Sequence, residues 1–169
     1  MESITELNLG SASLSDEELL SQFEKCAYPN DKFKHLDHIR LAWIYLQHDD
    51  YRGAESRMRA SIARFAEHCG ATRKYHETVT IAWMRLVQAA LEAGPRGVEF
   101  RKFLDAHPQL GDKSVLSDYF SKELLSSEAA RQSWMEPDIR PLPPPETLTI
   151  ASTEAAARCR SRFLSPQAG

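Results

Sequence analysis

Two short segments carry the side chains best suited to chemistry. One is Phe33-Lys34-His35-Leu36-Asp37-His38-Ile39-Arg40-Leu41-Ala42-Trp43, the other Lys74-Tyr75-His76-Glu77-Thr78-Val79-Thr80-Ile81-Ala82-Trp83. Three of the six histidines of the chain fall within them. Each segment places histidine near its start and an Ala-Trp pair one to two helical turns later. Imidazole titrates near neutral pH, shuttles protons and ligates transition metals. Two histidines at i,i+3 can address one ion, and His76 or Glu77 could close a three-ligand set with an open position suited to Zn or Fe. His35, His38 and His76 are therefore the candidate metal ligands, for a divalent transition metal. The same groups also suit metal-free acid/base work, with a histidine as shuttle and Glu77 as base or orienter. His35, His38, His76 and Glu77 are the candidate catalytic residues on either reading. The spacing is neither H-E-x-x-H nor the E-x-x-H pair of di-iron bundles.

Ordinary roles compete with these. A histidine can cap a helix or bond a neighbouring carbonyl, and Arg73, four residues before Glu77, offers it an exposed ion pair. Tyr75 and Thr80 supply hydroxyls beside the histidines. Trp43 and Trp83 read first as core, but would wall a pocket if one exists, so Trp43, Tyr75, Thr80 and Trp83 are the candidate substrate contacts. His48, His68 and His107 lie at helix ends, where the dipole favours them at the surface. Arg57, Arg59 and Arg64 form a basic stripe that reads as a solvated face.

The elements that must position these groups are helices. Ser15 caps a first helix running to about Ala27, with acids in its first turn. A second covers about 35–48, and its apolar residues occupy both sides, which makes it central. Projected at about 100° per residue, His35 sits at the edge of the Leu36, Ile39, Trp43 and Leu46 stripe, with Asp37 and Arg40 pointing away. Asp49-Asp50 cap a third helix from Tyr51 to Cys69, closed by Gly70. The fourth, about Thr72 to Ala93, would place His76 inside the stripe of Val79, Trp83, Leu86 and Ala90, and ends at Gly94-Pro95. Short helices are expected near 97–106, 114–125 and 127–135. Residues 137–146, rich in proline, should be an extended polyproline II strap. Residues 147–169 could hold one weak helix from Ser152 or equally be disordered. No segment alternates with period two.

The expected fold is all-α: a single bundle of four main helices plus two or three short ones. A polar, flexible leader is expected over 1–14, the helical domain over 15–136, and the proline-rich strap and tail over 137–169. With 169 residues, 21 Lys+Arg and 24 Asp+Glu, the chain is formally −3, too little charge and of the wrong sign for a nucleic-acid binder. No apolar run of about 18 residues predicts a membrane span. The N-terminal residues lack a basic and then apolar signal, and Cys26, Cys69 and Cys159 form no C-x-x-C pair, so a cytoplasmic protein with reduced thiols is expected.

The H-x-D-H segment at His35–His38 followed by Y-H-E-T at Tyr75–Thr78 resembles a group of small helical, mainly bacterial proteins. The stretches from Asp118 to Ser121 and from Pro137 to Pro143 are similar too, so the likeness covers roughly 22–145. The resemblance implies functional weight for His35, His38, His76 and Glu77, and attaches no reaction to them. Two functions follow as expectations. One is a small enzyme acting on a small organic molecule through a His/Glu pocket, of lyase, isomerase or hydrolase type. The other is a non-catalytic helical module that binds a ligand or protein and whose histidines are structural. The partner expected is a small molecule, with no nucleic acid or membrane and with a homodimer left open.

Overall fold

The computed structural model describes residues 9–95 and 97–145. Among these the chain is all-helical, without a strand. Its α-helices are α1 (Asp16–Glu24), α2 (His35–His48), α3 (Tyr51–His68), α4 (Glu77–Ala93), α5 (Phe100–Ala106), α6 (Lys122–Ser126) and α7 (Glu128–Gln132). Short 3-10 turns at Asn30–Lys32, Thr72–Lys74, Pro108–Gly111 and Lys113–Asp118 link them. No helix among the described residues is long and apolar enough to cross a membrane.

The central place of α2 follows from its two apolar sides. Leu36, Ile39, Leu41, Ala42, Ile44 and Tyr45 are all buried, and α1, α3 and α4 pack around them. Phe23 of α1 meets Phe65 of α3 at 4.6 Å between ring centroids, and Phe33 joins them from the loop before α2, 5.3 Å from Phe65. Trp43 packs on Phe100 at 5.6 Å and brings α5 onto the bundle. Each fully buried side chain of this size contributes about 1.5–3 kcal/mol.

Local signals place most helix ends. Ser15 and Glu18 form a capping box, with Glu18 N–H donating to Ser15 Oγ at 3.1 Å and Ser15 N–H to Glu18 at 2.8 Å. Asp50 caps α3 by accepting from Gly53 N–H at 2.8 Å. Gly70 ends it with φ +63°, where a side chain would be strained.

Five expectations are corrected. The first helix stops at Glu24 rather than Ala27, because Cys26 takes a left-handed φ of +54° and turns the chain. The fourth begins at Glu77 rather than Thr72, because His76 is its N-cap and lies in extended backbone. The helix expected over 114–125 divides into a 3-10 turn and α6. The break falls at Tyr119-Phe120, and Ser121 recaps the chain by accepting from Leu124 N–H at 3.1 Å. Trp134, expected inside a helix over 127–135, lies beyond the end of α7.

The fifth correction concerns the leader. Residues 1–8 lie outside the described residues. Those from Leu9 to Leu14, however, form hydrogen-bonded turns on the bundle, and Ser11 is fully buried. The strap packs on the domain as far as it is described. Ile139 N–H donates to the Tyr119 carbonyl at 3.0 Å, Asp138 accepts from Ser121 N–H at 2.8 Å, and Leu142 is buried. The segment from Ser152, read as one weak helix or as disordered, and Cys159 lie outside the described residues. Cys26 and Cys69 are free and half-buried.

Candidate functional site

His35 opens α2, with its ring against Trp83 of α4 at 4.7 Å. Its Nε2 lies 2.9 Å from the Leu110 carbonyl oxygen. A carbonyl only accepts, so Nε2 carries the proton and Nδ1 the lone pair. Burial lowers the imidazole pKa, and the Leu110 carbonyl opposes this in part. His38, one turn on, points elsewhere. Its Nδ1–H donates back to the Lys34 carbonyl at 3.1 Å, and its ring lies on Phe33 at 4.0 Å. Desolvation pushes its pKa down to about 4, so the ring is neutral at pH 7 with its Nε2 lone pair unused by that bond.

Between these histidines stands Asp37, fully buried. It accepts backbone N–H groups from Ser11 at 2.9 Å, Gly10 at 3.2 Å and Lys34 at 2.8 Å. Arg40, one turn later, donates through Nε to Asp16 at 2.9 Å, through Nη1 to the Ser11 carbonyl at 2.7 Å and through Nη2 to the Leu14 carbonyl at 2.7 Å. Asp37 and Arg40 thus turn away from the histidines, as the helical projection expects. They fasten residues 9–14, with the carboxylate reading amides and the guanidinium reading carbonyls.

At the start of α4, both ring nitrogens of His76 are used. Nδ1 accepts from Val79 N–H at 3.3 Å, and Nε2–H donates to the Leu125 carbonyl at 2.8 Å. An Nδ1 that accepts carries no proton, so His76 is the Nε2–H tautomer and keeps no atom for a substrate or ion. Glu77 is buried, accepting from the Tyr75 hydroxyl and paired with Arg59 of α3. Burial and then Glu77 raise the Tyr75 phenol pKa, so Tyr75 stays protonated and donates. Glu77 in turn raises the Arg59 guanidinium. Thr78 Oγ1 donates to the Ser133 carbonyl at 2.9 Å and accepts Met135 N–H at 3.1 Å. Thr80 bonds back to the His76 carbonyl at 2.9 Å.

The structure therefore brings His35 together with Trp83, and Tyr75 together with Glu77. Thr80 reaches only the His76 main chain, and His38, the His76 ring and Trp43 are each engaged separately. Among the described residues no three His, Cys, Asp or Glu are grouped so as to hold a metal ion. Sequence reasoning missed Arg59, taken for part of a solvated stripe, and the latching roles of Asp37, Arg40 and Thr78. Asp37 carried a usable signal. It is the third residue of a helix preceded by Lys34, which cannot cap, so an acid there is placed to reach back to the orphan amide. Nothing matches the chain when it is compared with family models, with curated proteins or with solved structures.

Proposed function

We propose that the protein is a non-catalytic helical binding module for a small-molecule ligand, and that its conspicuous histidines are structural pins. One observation carries this reading. Four polar residues of the H-x-D-H and Y-H-E-T segments bond the main chain of segments remote in sequence. His35 holds Leu110, Asp37 holds Gly10 and Ser11, His76 holds Leu125, and Thr78 holds Ser133 and Met135. An imidazole that must keep one tautomer to hold a carbonyl is poorly suited to exchanging protons during turnover. The free, half-buried thiols of Cys26 and Cys69 support a cytoplasmic setting.

A second reading, the acid/base enzyme of lyase, isomerase or hydrolase type, is favoured by one group. His38 is half-buried, and its Nε2 lone pair takes no part in the bond to Lys34. The two readings separate when purified protein is incubated with a mixture of small organic metabolites, then examined by native mass spectrometry and by chromatography of the mixture. The binding reading expects a retained ligand recovered with its mass unchanged. A new product mass that disappears in His38→Gln or Glu77→Gln would overturn it, and so would the retention of nothing.

A further inference from the structure

The strap and α4 enclose a cleft of about 200 Å3 lined by Arg85, Glu136, Asp138, Ile139, Arg140 and Leu142. Its formal charges cancel, but its hydrogen-bonding capacity does not. Both acids already accept from local donors: Glu136 from the Trp134 indole N–H at 2.7 Å, and Asp138 from Ser121 N–H at 2.8 Å and Ser121 Oγ–H at 2.5 Å. Those Ser121 bonds hold the Asp138 carboxyl below its usual pKa, so it stays ionised and accepting.

The two arginines are held differently. The Arg85 guanidinium lies over the Trp134 ring at 4.3 Å and also faces the Tyr51 hydroxyl, while its Nε is buried and without a hydrogen-bond partner. The Arg140 guanidinium lies over the Tyr119 ring at 4.5 Å, and its pairing with Asp118 is a single exposed contact at 3.4 Å. Stacking on an aromatic face occupies the face of a guanidinium and leaves the in-plane N–H fork to bond a carboxylate. An exposed ion pair of this kind is worth about 0–1 kcal/mol, so a ligand can displace it at small cost. At the lip of the same cleft stands Ile139, the exposed large hydrophobic among the described residues, at 58%.

We propose that this cleft binds a small organic carboxylate, its anionic group on Arg85 and Arg140 and its apolar part against Ile139. The strap is then one wall of a binding site as well as a packed tail. This deepens the binding-module reading and rests on it for its biological use.

The test is an NMR titration of the whole chain with benzoate, with acetate and inorganic phosphate as comparison probes. The signals followed are the Arg85 and Arg140 Nε–H groups, the Ile139 methyls and the Trp134 indole N–H. Saturable shifts confined to these groups are expected for benzoate, weakened about tenfold in Arg140→Gln, the change expected for one lost charge-assisted hydrogen bond. Arg85→Lys should weaken it too while keeping the charge in place. Ile139→Ser should weaken benzoate and leave acetate unchanged. Absence of saturation on a folded protein, or shifts indifferent to Arg140→Gln, would overturn the site. Phosphate binding as tightly as benzoate and independent of Ile139 would overturn the carboxylate assignment. None of these results alters the His76 and His35 hydrogen bonds or the mass-spectrometric result above, so the two proposals fail separately.

Discussion

The His35 imidazole and the Leu110 carbonyl meet at 2.9 Å across 75 residues of chain. That bond ties the first turn of α2 to the 3-10 turn after α5, and Trp83 of α4 closes over the ring. A residue with the credentials of a catalytic base thus serves as a fastener. The same pattern recurs at the start of α4.

His76→Ala should destabilise the protein by about 1–3 kcal/mol, because it removes both a helix cap and a partly buried bond to Leu125. His76→Asn can restore the cap without reaching Leu125, and should recover part of the loss. Urea unfolding of the three proteins checks this. A His76→Ala midpoint equal to the parent's would mean that neither bond matters.

Asp37→Ala should cost about 2–4 kcal/mol, since three backbone amides lose a buried charged acceptor. Gly10→Ala should loosen the same segment for a steric reason, because a Cβ there would overlap the Lys32 carbonyl oxygen. Amide hydrogen exchange should rise over residues 9–14 in both variants. Protection unchanged in Gly10→Ala would contradict the close approach.

Stability should fall as pH drops from about 6.5 toward 4. The folded-state pKa of His38 is pushed down to about 4, and that of His35 is also lowered. The unfolded chain therefore binds protons first, and the contribution is fully present above about 6.5 and lost as pH falls. His38→Gln should flatten this slope relative to the parent. Parallel stability curves for the two proteins between pH 7 and 4.5 would refute the shift.

The Arg59–Glu77 pair joins a guanidinium 44% exposed to a carboxylate 8% exposed. Solvent at Arg59 screens it, so a double-mutant cycle of Arg59→Met and Glu77→Gln should give a coupling of about 1–2 kcal/mol, below that of a fully buried pair. Tyr75→Phe should weaken that coupling, because the phenol shares the carboxylate. A cycle that closes at zero would show the contact to be idle.

The bounds of α2 were readable residue by residue, and so were the caps at Ser15 and Asp50 and the stop at Gly70. Each depends on neighbours within one turn. The start of α4 was not. The apolar period runs on through Tyr75 and His76, and histidine is not among the usual capping residues, so nothing local says that its ring folds back onto Val79. Arg59 was misread for a related reason. Its place on a basic stripe gives its own helix face, and only the approach of α4 supplies the buried acid.

The amino-acid sequence alone thus determines an all-helical chain with α2 at its centre, because apolar period and caps are near-neighbour properties. It also names the unusual residues. Where their polar atoms point was decided by tertiary structure. The partners of His35, His76 and Gly10 lie 75, 49 and 27 positions away, and they are brought into reach only when the bundle has packed. A half-buried imidazole must then bond whatever carbonyl the fold delivers, since leaving it unpaired would cost about 1–3 kcal/mol.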